Sequence, residues 1–154
     1  MESNKIAIRR LVDLELAVAA LYNLFANRYI EDREFWIVLK DEEIQHARLL
    51  IQFEIDQSES PDGVSIASPV SGDVVKIMIE RIHSLLDDID NQVKSRKEAC
   101  FIALQVEQSA GEFHFQAVAS EFNKKLDNDY LSQLLKDDID HVDRIQKYLH
   151  RVFL

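Results

Sequence analysis

The stretch KDEEIQHARLL, residues 40–50, places ionisable side chains on the face of a predicted helix that should be buried. It lies within a segment whose apolar residues recur at helical spacing along one face: Trp36, Leu39, Leu50 and Phe53. Glu43 and His46 fall on the same face, three positions apart, whereas Glu42 is expected to face away. Because burying a charged group costs several kcal/mol, a carboxylate and an imidazole on a core-facing stripe need partners from other helices.

The composition favours long helices in a single folded unit. The 154 residues include only three glycines and two prolines, and 47% of them are hydrophobic. The formal net charge of −10 argues against partners such as nucleic acid or an anionic membrane surface. No apolar run approaches the roughly 20 residues that cross a bilayer, and residues 1–10 lack the order of a signal peptide. We therefore expect a cytoplasmic protein.

Periodic segments divide the chain into two helical hairpins, expected at about residues 4–57 and 95–152. Residues 58–92 would connect them, with a loop that holds both prolines followed by a periodic helical segment. Asp73 is the expected N-cap of that segment. Two antiparallel hairpins joined by one long crossover form a ferritin-like four-helix bundle. We therefore predict one all-α domain over residues 1–154, with an additional helix in the crossover.

Each long helix carries an acid where its apolar stripe continues, and two helices add a histidine three positions later. These residues are Glu15, Glu43 with His46, Glu107, and Asp138 with His141. Residues three apart differ by about 60° around a helix, so each acid–histidine pair points at one place. The two acids of the first hairpin are 28 positions apart, and those of the second hairpin are 31 apart. These similar separations predict that both pairs of acids lie at a similar depth in the bundle. Four carboxylates and two imidazoles should therefore converge near the middle of the bundle.

A pair of metal ions would stabilise these buried groups. Four carboxylates can bridge two cations, and each histidine can bind one of them. Imidazole and carboxylate suit iron and manganese, and the single cysteine, Cys100, argues against a thiolate site for zinc or copper(I). Carboxylates that stay protonated, or that hydrogen-bond to one another, are the alternative without a metal. The sequence predicts two iron ions, with manganese as the other choice.

The stretches that carry these residues resemble the rubrerythrin and bacterioferritin branch of the ferritin-like superfamily. They are ELAVAALYNLFA (15–26), EEIQHA (42–47) and SAGEFHF (109–115), and the resemblance extends over essentially the whole chain. It implies a di-iron oxidoreductase that reduces peroxide or oxygen. Rubrerythrins usually receive electrons through an appended rubredoxin domain with four cysteines, whereas this chain has one. An external electron donor is therefore implied.

Two other functions stay open. One is iron oxidation and binding without a cage, because only thirteen residues follow His141 and leave no room for the fifth helix of cage-forming bacterioferritins. A homodimer is then the expected assembly. The other is a ferritin-like interaction module that keeps the acidic residues and histidines but catalyses no reaction.

Several positions leave a choice of role. Asp138 stands where the family has glutamate, so the second metal position is expected to be weaker or asymmetric. On the third long helix the family motif nominates Glu112 and the apolar stripe nominates Glu107; about 140° separates them around the axis. We prefer Glu107, with Glu112 as an outer or mobile carboxylate. His114 is an extra ligand, an outer hydrogen-bond partner or a core histidine. Tyr22 either donates a hydrogen bond to a metal-bound carboxylate or packs in the core.

Overall fold

The computed structural model of this chain describes residues 2–59, 72–122 and 129–154. Within these ranges the regular secondary structure is entirely helical, which confirms the predicted all-α class. The helices are α1 (Glu2–Arg28), α2 (Arg33–Glu59), α3 (Gly72–Asp87), α4 (Ile89–Gln92), α5 (Arg96–Phe122) and α6 (Asp129–Phe153), with a 3₁₀ turn at Ile30–Asp32. None of these helices is long and apolar enough to cross a membrane.

The four long helices lie close to where the periodicity predicts them. Two internal segments lie outside the described residues: residues 60–71, which hold most of the predicted crossover loop, and residues 123–128 of the second predicted hairpin. The crossover helix differs in two ways from the prediction. It begins at Gly72, so Asp73 lies in its first turn and is not the N-cap, and it ends at Asp87 before the short helix α4.

The core lies between the apolar faces of the long helices. Helix α1 packs along α2, α5 packs along α6, the two pairs contact each other through α2 with α6 and α1 with α5, and α3 packs on α1. The predicted stripe of α2 is fully buried, from Trp36 and Leu39 to Leu50 and Phe53. Burial of each such side chain contributes about 1.5–3 kcal/mol. Cys100 also lies in this core, and burial raises the pKa of its thiol to about 12.

A buried carboxylate joins three distant segments at one end of the molecule. Asp32, in the 3₁₀ turn, accepts hydrogen bonds from Arg96 Nε at 2.7 Å, from Arg96 Nη2 at 2.5 Å and from the Tyr148 hydroxyl. Phe35 stacks on Tyr148 with ring centroids 4.0 Å apart. Burial would raise the pKa of Asp32, but these hydrogen bonds outweigh it and lower the pKa. The turn after α1, the start of α5 and the end of α6 are thereby fixed relative to one another.

Candidate metal centre

Among the described residues, seven buried ionisable side chains meet near the middle of the four long helices. They are Glu15 of α1, Glu43 and His46 of α2, Glu107 and His114 of α5, and Asp138 and His141 of α6, each 4% exposed or less. The structure therefore brings together all six of the side chains that the apolar stripes nominate, and it adds His114 to them.

Glu43 lies between the two motif histidines. Its Oε2 is 3.3 Å from His46 Nδ1, and its Oε1 is 2.7 Å from His141 Nδ1. The two imidazole rings stack with centroids 5.0 Å apart. One ligand atom from each of these three residues lies within 4.8 Å of the others. This buried group can hold a metal ion.

A further acid flanks each histidine, and it comes from the neighbouring helix of the same hairpin. Glu15 Oε2 is 3.2 Å from His46 Nδ1, and Glu107 Oε2 is 3.4 Å from His141 Nδ1. The hydroxyl of Tyr22 donates a hydrogen bond of 2.5 Å to Glu107 Oε1. Each hairpin thus supplies one acid beside one imidazole, on either side of the central Glu43.

Asp138 and His114 form a second contact region beside this group. Asp138 Oδ2 is 2.7 Å from His114 Nδ1, and His114 Nε2 is 3.0 Å from Glu15 Oε1. Gly111 lies opposite Asp138, and a methyl group added at this glycine would lie 3.5 Å from Asp138 Cβ. The shorter acid of the fourth helix therefore contacts an imidazole of α5, where the neighbouring glycine keeps the space open.

Two more acids lie at the outer nitrogens of the motif histidines. Asp137 Oδ2 is 3.4 Å from His46 Nε2, and Glu42 Oε2 is 3.2 Å from His141 Nε2. Glu42 also forms an ion pair with Arg144. The expectation that Glu42 faces away from the site is therefore wrong. One residue step turns a helix by about 100°, which still leaves Glu42 at the boundary between α2 and α6.

A pattern shared by two motifs marks these outer acids in the sequence. EEIQH (42–46) and DDIDH (137–141) share two acids, an isoleucine and a histidine at the same positions. In each motif the second acid faces the cluster, and the first reaches the histidine of the other motif. Carboxylates at the outer nitrogen of a histidine orient the ring and strengthen it as a metal ligand.

The imidazoles are charged in the metal-free cluster. Burial lowers the pKa of His46, but the adjacent Glu15 and Glu43 outweigh it and raise this pKa to about 11. In the same way, Glu107 and Glu43 overcome burial and raise the pKa of His141 to about 10. The three histidines of the cluster, His114 included, have raised pKa values. In the absence of a metal they are therefore imidazolium ions at neutral pH and balance the surrounding carboxylates.

The acids respond in opposite directions. Burial would raise the pKa of Glu15, but the charge of the His114 imidazolium and the hydrogen bond from His46 outweigh it and lower this pKa to about 2. Burial and the charge of Glu43 raise the pKa of Glu107 to about 7. The pKa of Tyr22 is also raised, by burial and by the neighbouring carboxylates. Its hydroxyl therefore stays protonated and donates a hydrogen bond to Glu107.

Several buried atoms of the cluster make no hydrogen bond. They are Glu15 Oε1, Glu43 Oε1, His46 Nε2, His114 Nε2 and both ring nitrogens of His141. An unsatisfied buried polar atom costs about 1–3 kcal/mol, and native proteins contain few of them. Some of these atoms lie close together without the angles of a hydrogen bond, as Glu43 Oε1 and His141 Nδ1 do. A cation would satisfy both, and carboxylate oxygens with imidazole nitrogens suit a divalent ion.

Glu112, the alternative acid of the third long helix, lies outside the cluster. It is exposed, on a different face of α5 from Glu107. The other two histidines of the chain, His83 of α3 and His150 of α6, are exposed as well.

Comparison with protein-family models, with curated proteins and with solved structures found no match to this chain. The resemblance to ferritin-like proteins therefore rests on the sequence motifs alone.

Proposed function

We propose that this protein is a rubrerythrin-like di-iron carboxylate protein with a ferritin-like four-helix bundle, and that it is an oxidoreductase that reduces peroxide or oxygen. The observation that carries the proposal is the position of Glu43 between His46 and His141. One further acid lies beside each histidine. This arrangement supports two metal positions that share a central carboxylate.

The residues divide naturally between two ions. Glu15 and His46 would hold one ion, Glu107 and His141 would hold the other, and Glu43 would be shared. Asp138 would be the second shared acid, as the acid of the fourth-helix motif. The donor set is the same on both sides and suits iron or manganese. A bound pair of iron ions supplies two electrons to one molecule of O2 or H2O2.

The surrounding side chains hold the ligands in place. Tyr22 donates to Glu107 and leaves the other oxygen of this carboxylate for the cluster. Asp137 and Glu42 lie at the outer nitrogens of the two histidines, whose inner nitrogens face Glu43. Tyr22, Glu107 and the two histidines are buried, which restricts the access of water. Electrons for repeated turnover would come from an external donor.

Metal analysis tests the proposed centre. Protein purified without chelators should contain about two iron or manganese ions per chain. Addition of Fe(II) under anaerobic conditions to metal-free protein should raise its melting temperature, because the ions bind the folded state. A protein that is metal-free after purification and whose melting temperature does not change on addition of Fe(II) would refute the centre.

Kinetics separate reduction of peroxide from iron oxidation. The Fe(II)-loaded protein is mixed with H2O2 and with O2 in a stopped-flow spectrometer, with a chemical reductant in excess. Repeated turnover supports the oxidoreductase, whereas one stoichiometric oxidation with retained iron supports iron binding and storage. A protein that binds two ions and reacts with neither oxidant would instead be an interaction module. The mass in solution tests the expected homodimer separately.

A further inference from the structure

A groove between α5 and α6 leads from the surface to the buried cluster. Its cavity volume is about 420 Å³. Most of its wall is apolar, formed by Phe115 of α5 and by Leu135, Ile139 and Val142 of α6, and Gln108 of α5 adds one neutral polar side chain. Glu107 and Asp138 also line it, although both side chains are buried. The groove therefore ends on two of the acids that we assign to the metal centre.

Gly111 lies at the inner end of the groove. It lies one helical turn after Glu107 and opposite Asp138, and it lines the same cavity. A methyl group added here would make an ordinary van der Waals contact with Asp138 Cβ, 3.5 Å away. The lack of a side chain at this position leaves that space to the groove.

The rim of the groove exposes large apolar side chains. Phe115 is 57% exposed and Ile139 is 73% exposed, and they face the opening from two neighbouring helices. Contiguous apolar surface of this kind marks binding sites for ligands or partners, whereas single exposed apolar residues need no explanation. Phe115 and Ile139 line the same cavity as Glu107 and Asp138, so the apolar rim is continuous with the buried acids.

The lining defines the chemical class of the ligand. The walls offer no cationic side chain to an anion, and the chain carries a net charge of −10. Once metal ions neutralise the two acids, the groove also lacks an attraction for a cation. Its volume falls in the range of about 300–1,000 Å³ that is typical of small-molecule sites with apolar walls. A neutral, apolar organic molecule matches both its size and its chemistry.

We propose that this groove binds a neutral, apolar organic molecule against Glu107 and Asp138, as the substrate site of the metal centre. The inference rests on the proposed function, since it takes the centre to be loaded with metal. It extends that function from oxygen or peroxide alone to a second substrate of defined chemistry.

The test uses 4-fluorotoluene as the probe and ¹⁹F NMR as the readout. The protein is loaded with Mn(II), whose unpaired electrons accelerate the relaxation of a nearby fluorine nucleus, and the same protein loaded with diamagnetic Zn(II) is the reference. We expect much faster relaxation with Mn(II) than with Zn(II). Phe115→Ser and Ile139→Ser should each weaken binding by about tenfold, since each removes a large apolar contact.

Phe101→Ser is the matched control. Phe101 lies on the same helix and is 43% exposed, but it does not line the groove. The Phe101→Ser substitution should therefore leave the affinity for 4-fluorotoluene unchanged. Equal relaxation with Mn(II) and Zn(II) would overturn the proposal, and so would equal affinity in all three variants. A dimer that Phe115→Ser dissociates would also overturn it, because a second copy of the chain would then cover the groove.

Failure of the metal centre remains distinguishable from failure of the groove. Metal content is measured on each sample before the NMR experiment. If the protein holds no metal, the proposed function fails, and line broadening of 4-fluorotoluene by the metal-free protein still tests the groove. Line broadening that the Phe115→Ser substitution abolishes would support binding in the groove in that case. The absence of line broadening would overturn the groove proposal.

Discussion

Metal binding should release protons, because the cluster holds its histidines in the charged form until a cation replaces the protons. The pKa values of His46 and His141 in the metal-free protein are about 11 and about 10, so each ring carries a full extra proton at pH 7. Glu107, with a pKa of about 7, is about half protonated. Coordination requires all three groups to be deprotonated. Loading of two ions at pH 7 should therefore release about 2.5 protons per chain.

Calorimetry measures this number directly. Mn(II) is titrated into metal-free protein in several buffers of different ionisation enthalpy, and the slope of the observed enthalpy against the ionisation enthalpy gives the protons released. At pH 8.5 the release should fall to about two, because Glu107 is then already deprotonated. If His114 also binds a metal, the release at pH 7 should be larger, since its pKa is raised as well.

A slope near zero would refute the reasoning. It would mean that the imidazoles are neutral before loading, and that the negative charge of the surrounding acids does not raise the pKa values of the histidines. Glu112→Gln is the control: this exposed residue lies away from the cluster and should not change the slope. His46→Gln should lower the slope by about one proton.

Further predictions concern the central acid of the cluster and the carboxylate at the end of the molecule. Glu43→Gln should lower the metal content from about two ions per chain to one or fewer, whereas Glu112→Gln should retain both; mass spectrometry of the metals measures each. Asp32→Asn should lower the free energy of unfolding by about 2 kcal/mol, measured by urea titration at pH 7, because Arg96 and Tyr148 lose their charged acceptor. Since folding lowers the pKa of Asp32 from its ordinary value of 3.8, this difference should be complete above about pH 4 and should disappear as the pH falls through the folded-state value. A difference that persists undiminished in acid would show that Asp32 contributes something other than its charge.

Periodicity in the sequence predicts the helices and the inward-facing acids, because residues on one helix face share one environment. The choice between Glu107 and Glu112 illustrates this. The apolar neighbours of Glu107 indicate an inner position, and the structure places Glu107 in the cluster and Glu112 on the exposed side of the same helix. The end of a helix is harder to predict, since it depends on the backbone of the adjoining segment. The start of α3 one residue before Asp73 is an example.

Contacts between helices are where prediction from the sequence ends. Spacing along one helix assigns a residue to a face, but it does not say which helix lies opposite or how an imidazole ring turns. The contact of Glu42 with His141 and that of Asp137 with His46 depend on both. The placement of His114 between Asp138 and Glu15 has the same origin, because it requires three helices at a defined distance.

The exchange of acids between EEIQH and DDIDH has a consequence for the symmetry of the site. Glu42 reaches from α2 to the histidine of α6, and Asp137 reaches from α6 to the histidine of α2. Reciprocal contacts of this kind are what a two-fold rotation produces between identical subunits. The two hairpins therefore contribute to the cluster in equivalent ways, although they belong to one chain. Asp138, paired with His114, departs from this equivalence, because Glu43 at the corresponding position lies between the two motif histidines.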